Sequence, residues 1–184
     1  DSAALAGSSR GAMLRRYGSR VRTDGLAHDS ALRVMMGNLA RCAARHDRSV
    51  EPLLSIWDSH HLRVSSGVIK SKEGANLVED RLGWRVHAPT EREVVASVES
   101  GLHPELSMDK LPMTCLLPLH FPIDRRDPRV SGPLWVGSLG SQEAMCSMTE
   151  QKALTMCAPD YEEGDIAGWL EKDFDIEKRR ILRS

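Results

Sequence analysis

Residues 23–70 read TDGLAHDSALRVMMGNLARCAARHDRSVEPLLSIWDSHHLRVSSGVIK, and within them the apolar period changes once. Up to about His46, the residues Leu32, Met35, Met36, Leu39 and Ala43 recur at helical spacing. Thr23 or Asp24 is placed to cap the start of that helix. Pro52 ends the region. After it, Leu53–Trp57 and Leu62–Ile69 have the composition of two strands, with Asp58-Ser59-His60 as the turn between them. A long helix followed by a hairpin is the seed of a mixed fold.

The flanks extend this pattern. Residues 2–11 are small and Gly/Ser-rich and read as a loop following a strand whose body lies upstream. Met13–Tyr17 reads as a short helix stopped by Gly18. On the other side, Lys72–Leu82 reads as a helix closed by Gly83, and Trp84–His87 as a short strand. Thr90-Glu91-Arg92-Glu93 fits a capping box, with Val94, Val95 and Val98 forming one apolar face behind it. Residues 103–112 read as a loop and Cys115–Leu119 as an edge strand, because Pro118 cannot donate to a ladder. Residues 121–131 form a charged, Pro-containing turn region, and Leu134–Val136 a strand. Helices are expected over 141–156, 166–170 and from about Asp175. Strands and helices mix without regular βαβ alternation. The expected class is therefore α+β, with a small mainly antiparallel sheet in one layer and helices on one side of it.

The chain has 184 residues, enough for one domain or one domain with a remnant of a neighbour. At 41% apolar it can build a core, but with 4% aromatics Leu, Val, Ile, Met and Ala must fill it. No apolar run approaches the roughly 20 residues of a membrane helix, and the N-terminus lacks the plan of a signal peptide. The chain starts at Asp1 and ends in IEKRRILRS, which reads as a helix cut mid-turn, so both ends read as truncated. Cys42, Cys115, Cys146 and Cys157 form no CxxC pair. They read as reduced, buried thiols, and their spacing does not support a metal site.

A net charge of −1 hides an asymmetry. From Arg10 to Arg48 there are nine arginines, no lysine and three acids, a local excess of +6. Within the helix, Arg33, Gly37, Arg41 and Arg45 stand four apart and form one stripe. Such a surface suits a polyanion, and it equally suits a solvated helix face. No nucleophile motif, P-loop, GxGxxG or zinc motif is present. His60-His61 would point to opposite strand faces, and His28-Asp29 about 100° apart on a helix, so neither pair is a strong site. Trp57, Trp84, Trp135 and Trp169 read as core.

Several segments together resemble a known family. DSAALAG at residues 1–7 is similar to an Asp-x-Ala-x-Leu-x-Gly loop in the tRNA guanosine-26 N2-dimethyltransferases of archaea and eukaryotes. Tyr17-Gly18, Arg22-Thr23, His28-Asp29, Leu32-Arg33, Ala43-Ala44, Pro52-Leu53-Leu54-Ser55 and Arg63-Val64 fall at that family's intervals. So does GPLWVGSL at residues 132–139. The likeness is strong over residues 1–64 and 132–139 and weak elsewhere. It departs at the family's zinc knuckle: the first CxxC position reads His87-Ala88-Pro89-Thr90, and the second keeps only Cys115. Asp29 stands where the family usually has Glu.

The resemblance implies a parent enzyme that methylates N2 of guanosine-26 in tRNA from S-adenosylmethionine, in the cytoplasm. It implies that residues 1–24 are the end of a Rossmann-like methyltransferase domain. Residues 25–184 would be a tRNA-binding C-terminal domain truncated at its end. The catalytic Asp-Pro-Phe/Pro motif and the donor pocket would lie upstream, leaving no catalytic residue here. Only the loop at Asp1, Leu5 and Gly7 would approach the cofactor. With the arginine count, it implies that Arg15, Arg16, Arg20, Arg22, Arg33, Arg41 and Arg45 face tRNA phosphates. No metal and no membrane are expected. The alternative is a non-catalytic RNA-binding or protein-interaction α+β domain.

Overall fold

A computed structural model describes residues 2–5, 7–58, 61–103 and 111–147. The expected helices at 166–170 and beyond Asp175, the end of the one at 141–156, and Trp169 lie outside these residues.

The class is α+β, built around one helix. α3 spans Ala27–Ala44, an Ala-, Leu-, Met- and Arg-rich run without proline. It is buried on more than one face. Ala27, Ala31 and Val34 pack with Leu5, Met13, Val21, Leu116, Leu134 and Val136. Leu32, Met36, Ala40 and Ala43 pack with Val50, Leu82, Trp135 and Leu139. Each fully buried Leu or Met contributes about 1.5–3 kcal/mol. Gly37 lets α3 close on the strand beside it, since a Cβ there would sit 3.0 Å from Leu82 Cδ2 and 3.4 Å from the Trp135 nitrogen. The helix starts after Leu26, with no side-chain cap. Asp24, expected to cap it, instead closes a turn through Leu26 N (2.9 Å) and turns its carboxylate toward Arg22 and the distant Arg85.

Upstream of α3, residues 2–11 are more ordered than a loop. α1 (Ser2–Leu5) and α2 (Arg10–Tyr17) form there because Ala4, Leu5, Ala12 and Met13 find apolar partners in the core. Gly18 ends α2 in the left-handed conformation, φ +64°, as its position predicts.

After α3, β1 (Arg48–Asp58) and β2 (His61–Lys70) form an antiparallel ribbon, from Arg48 opposite Lys70 to Asp58 opposite His61. Pro52 does not end a region: it lies inside β1, where the register shifts between Pro52 and Leu54. A bulge in a two-stranded ribbon tolerates the missing N–H. Ser55 Oγ donates to Leu139 O (2.9 Å), and Ser141 N to Leu53 O (3.0 Å), tying the ribbon to the later chain.

The expected helix at 72–82 is shorter. α4 covers Lys72–Asn76, capped by Ser71, and one 3-10 turn follows at Glu79–Arg81. Gly83 belongs to β3 (Leu82–His87), the middle strand of the order β4-β3-β5, with β4 at Thr114–Pro118 and β5 at Val130–Trp135. A Cβ on Gly83 would collide with the Leu117 carbonyl, so the glycine serves a close approach across the sheet rather than a helix end. β3 pairs antiparallel with both neighbours. α5 (Glu91–Glu99) lies along β4, and its capping box is complete: Thr90 N donates to Glu93 Oε2 (2.6 Å) and Glu93 N to Thr90 Oγ1 (3.4 Å). Trp84, Val86, Cys115, Leu117 and Val130 form a third apolar cluster. α6 (Gln142–Cys146) closes the described chain.

Candidate nucleic-acid interface

The segment between α2 and α3 runs beside β5 as an extra short strand. Arg20 N donates to Gly132 O (2.9 Å) and Gly132 N to Arg20 O (2.7 Å). Arg22 N donates to Ser131 Oγ (2.9 Å), and Ser19 Oγ to Pro133 O (2.7 Å). Extended backbone alternates its side chains, so Ser19 and Val21 are buried while Arg20 is exposed and Arg22 half-buried. Opposite lies the turn at 124–129, held by Asp127 N to Asp124 O (3.0 Å) and Arg126 N to Asp124 Oδ1 (2.8 Å). With Arg10 at the start of α2, these walls enclose an open cleft of about 260 Å³. Arg10, Arg20, Arg22 and Arg126 line it, with Thr23 and Asp127.

The cleft is electropositive. Asp127 is neutralised from outside it: Arg129 Nη2 stands 2.7 Å from its carboxylate and holds its pKa below the ordinary Asp range. Arg129 also reaches Glu93 at 3.2 Å. Burial alone would raise the Glu93 pKa, but the hydrogen bonds from Thr90 and Arg129 outweigh it and leave it lowered. Behind Arg22, Asp24 is shared by two guanidiniums. Arg85 Nη2 stands 3.1 Å from both its oxygens, and Arg22 Nε 3.1 Å from one. Arg85 is 3% exposed in its side chain, and among the described residues its Nε and Nη1 have no hydrogen-bond partner. One carboxylate between two arginines leaves one positive charge over.

The expected arginine stripe divides. Arg33 is turned into the protein: its Nε stands 3.0 Å from Asp29 Oδ2, and its Nη1 donates to Trp135 O (3.2 Å) and Gly137 O (2.8 Å). Gly37 is packed under Leu82. Arg41 is half-buried with its Nε 3.8 Å from Glu79, and Arg45 is exposed. Arg15, Arg16 and Arg20 are exposed, and Arg22 is half-buried. Sequence assigned no role to Arg10 or Arg126. Both stand in arginine-bearing stretches, but no local pattern reports that a turn 116 residues downstream returns to the start of α2.

Leu5 and Gly7, expected near the cofactor, both lie inward. Both are buried within this chain, Leu5 in the core and Gly7 against the Val21 carbonyl and Thr23 Oγ1. Asp1 lies outside the described residues. His28 stacks on Trp57, with ring centroids 4.1 Å apart, and burial lowers its pKa. Burial pushes the Cys115 thiol up to about 12. No group of three or more His, Cys, Asp or Glu that could hold a metal ion occurs among the described residues. Among them, too, no helix is long and apolar enough to cross a membrane.

Against this geometry, the family model described as N2,N2-dimethylguanosine tRNA methyltransferase matches residues 1–173. The chain belongs to that family. Among relatives in the N2,N2-dimethylguanosine tRNA methyltransferase family, a tRNA (guanine(26)-N(2))-dimethyltransferase of Thermoplasma volcanium is 38% identical over 84 residues, 46% of this chain and 25% of its own. One of Pyrobaculum neutrophilum is 29% identical over 177 residues, 96% of this chain and 40% of its own. The fold is similar to that of Trm1 from Pyrococcus horikoshii, a structure with S-adenosyl-L-methionine. The TM-score is 0.66 at 20% identity, over 93% of this chain and 39% of that one. The matched stretches thus cover 25–40% of the length of these relatives.

Proposed function

We propose that this chain is the tRNA-holding part of a cytoplasmic tRNA (guanine-26 N2)-dimethyltransferase. The observation that carries this reading is the family match over residues 1–173 in a chain much shorter than its relatives. S-adenosylmethionine, bound by residues outside this chain, would supply the methyl to the guanine N2. This chain would bind the RNA body through its arginines, holding the target base where transfer takes place. Arg15, Arg16, Arg20 and Arg22 at one end of α3 and Arg41 and Arg45 at the other are the surface cations for that task. Arg33 is a structural residue.

The test uses the complete gene product with labelled S-adenosylmethionine and two tRNA transcripts, one with G26 and one with A26. Label is expected only in the G26 transcript, recovered as N2-methylated guanosine. Equal incorporation into both, or none into either, would overturn the reading.

A further inference from the structure

We infer that the cleft between α2, residues 20–23 and the turn at 124–129 is a binding site for backbone phosphate of RNA. Arg20 and Arg126 would be its contact cations and Arg22 its fixed wall. The inference rests on the tRNA-holding role proposed above and adds a place and two residues, Arg10 and Arg126, that no sequence motif indicates.

Four guanidiniums from three separate stretches of chain converge on one cleft. Among the described residues, Arg10, Arg20 and Arg126 have no side-chain ion pair or hydrogen bond. Like charges gathered without counter-charge repel, and an anion among them relieves this. The acids nearby do not serve. Asp127 is engaged by Arg129, and Asp24 is shared by Arg22 and the buried Arg85. Arg22 is oriented in advance by Pro128 O, at 3.2 Å from its Nη1. A guanidinium fixed by its protein partners loses little freedom when it meets phosphate, and its fork matches phosphate oxygens.

The lining selects phosphate over base. Its uncharged members are Val21, Thr23, Pro128 and Val130, with no aromatic ring on which a base would stack. Contacts here would position RNA without reading its sequence.

The experiment measures tRNA affinity of the complete gene product across potassium chloride concentrations, with folding checked by thermal melting. Arg20 keeps its place through backbone bonds to Gly132, and Arg126 is exposed, so R20Q/R126Q leaves the fold intact. The double variant should bind roughly tenfold more weakly at moderate salt, with a salt slope shallower by roughly one to two units. KM for tRNA should rise with kcat unchanged, and R20K/R126K should recover most of the loss. K70Q, which removes an exposed charge from the far ribbon, should bind as wild type. If R20Q/R126Q retains wild-type affinity and slope, or if K70Q loses as much, the cleft is not a site. Methylation by the wild type is read separately. An active wild type with an unaffected double variant sinks the cleft alone, whereas an inactive wild type sinks the enzyme reading while the binding curves still report on the cleft.

Discussion

The two ends of α3 both carry arginines, and they use them differently. At the N-terminal end, Arg22 and Arg85 share Asp24, Arg33 is locked to Asp29 and two carbonyls, and Arg20 stands over a cleft with Arg10 and Arg126. At the C-terminal end, about 27 Å away along the helix, Arg41 is half-buried with a loose partner in Glu79, and Arg45 is exposed. Stacked cations at the C-terminal end need no polyanion, because the helix dipole already favours positive charge there. Converging cations in the cleft have no such support. Position relative to the helix axis, more than arginine count, therefore separates an anion site from an ordinary basic helix end.

The largest effect that sharpens this contrast is expected from Asp24→Ala. It would leave Arg85, buried in the central strand, without its carboxylate. Breaking a buried pair from one side costs about 3–5 kcal/mol. Urea unfolding should show a loss of that size, and a loss under about 1 kcal/mol would mean that Asp24 is not the anchor of this end. Next comes the stripe itself. Arg33→Ala should cost about 2–3 kcal/mol, because Asp29 loses the Arg33 guanidinium and the carbonyls of Trp135 and Gly137 lose a donor. Arg45→Ala, on the same sequence stripe, should stay within about 0.5 kcal/mol. Equal effects would show that the stripe is one surface after all.

Sequence reported what is local. Gly18 ending α2 and the Thr90–Glu93 capping box depend on residues within one turn, and both stand as expected. The hairpin and the apolar face of α3 were also visible in their periods. Asp24 and Gly83 were misread for one reason: a cap for each was available nearby, but their real partners are 61 and 34 residues away, at Arg85 and Leu117. The Gly83 signal is the same for a helix stop and for a strand glycine. The cleft was half legible. Arg20 and Arg22 stood out by charge, while Arg10 and Arg126 become neighbours only once β5 pairs with the residues ahead of α3.

Acid should affect the cleft end more than the other. The Glu93 and Asp127 carboxyls both have folded pKa values below their ordinary ones. The unfolded chain therefore takes up protons first as pH falls. Their contribution is complete above the unfolded carboxylate range of about 4 and is lost as pH drops through the lower folded values. His28 adds a window at higher pH: burial disfavours its charged form, so stability also declines as pH falls below about 6.5. Unfolding midpoints followed from pH 7 to pH 3 should decline in both windows. E93Q should flatten the lower one and leave the upper unchanged. A lower-window slope equal to wild type in E93Q would show that Arg129 does not clamp the wall of the cleft.

The smallest effect belongs to the open end. Arg41 Nε and Glu79 Oε1 are 3.8 Å apart, and Glu79 is 61% exposed in its side chain. At that separation and exposure, water screens most of the attraction, and ordering two long side chains offsets part of the rest. Arg41 also keeps a favourable position in the last turn of α3 whether or not Glu79 is charged. Glu79→Gln should therefore change stability by less than about 0.5 kcal/mol, and that small change should vanish in roughly 1 M salt, where screening acts within about 3 Å. Urea curves at low and high salt measure both. A loss above 1 kcal/mol that persists in high salt would mean that this end is as tightly held as the other, and that the contrast between them is one of exposure alone.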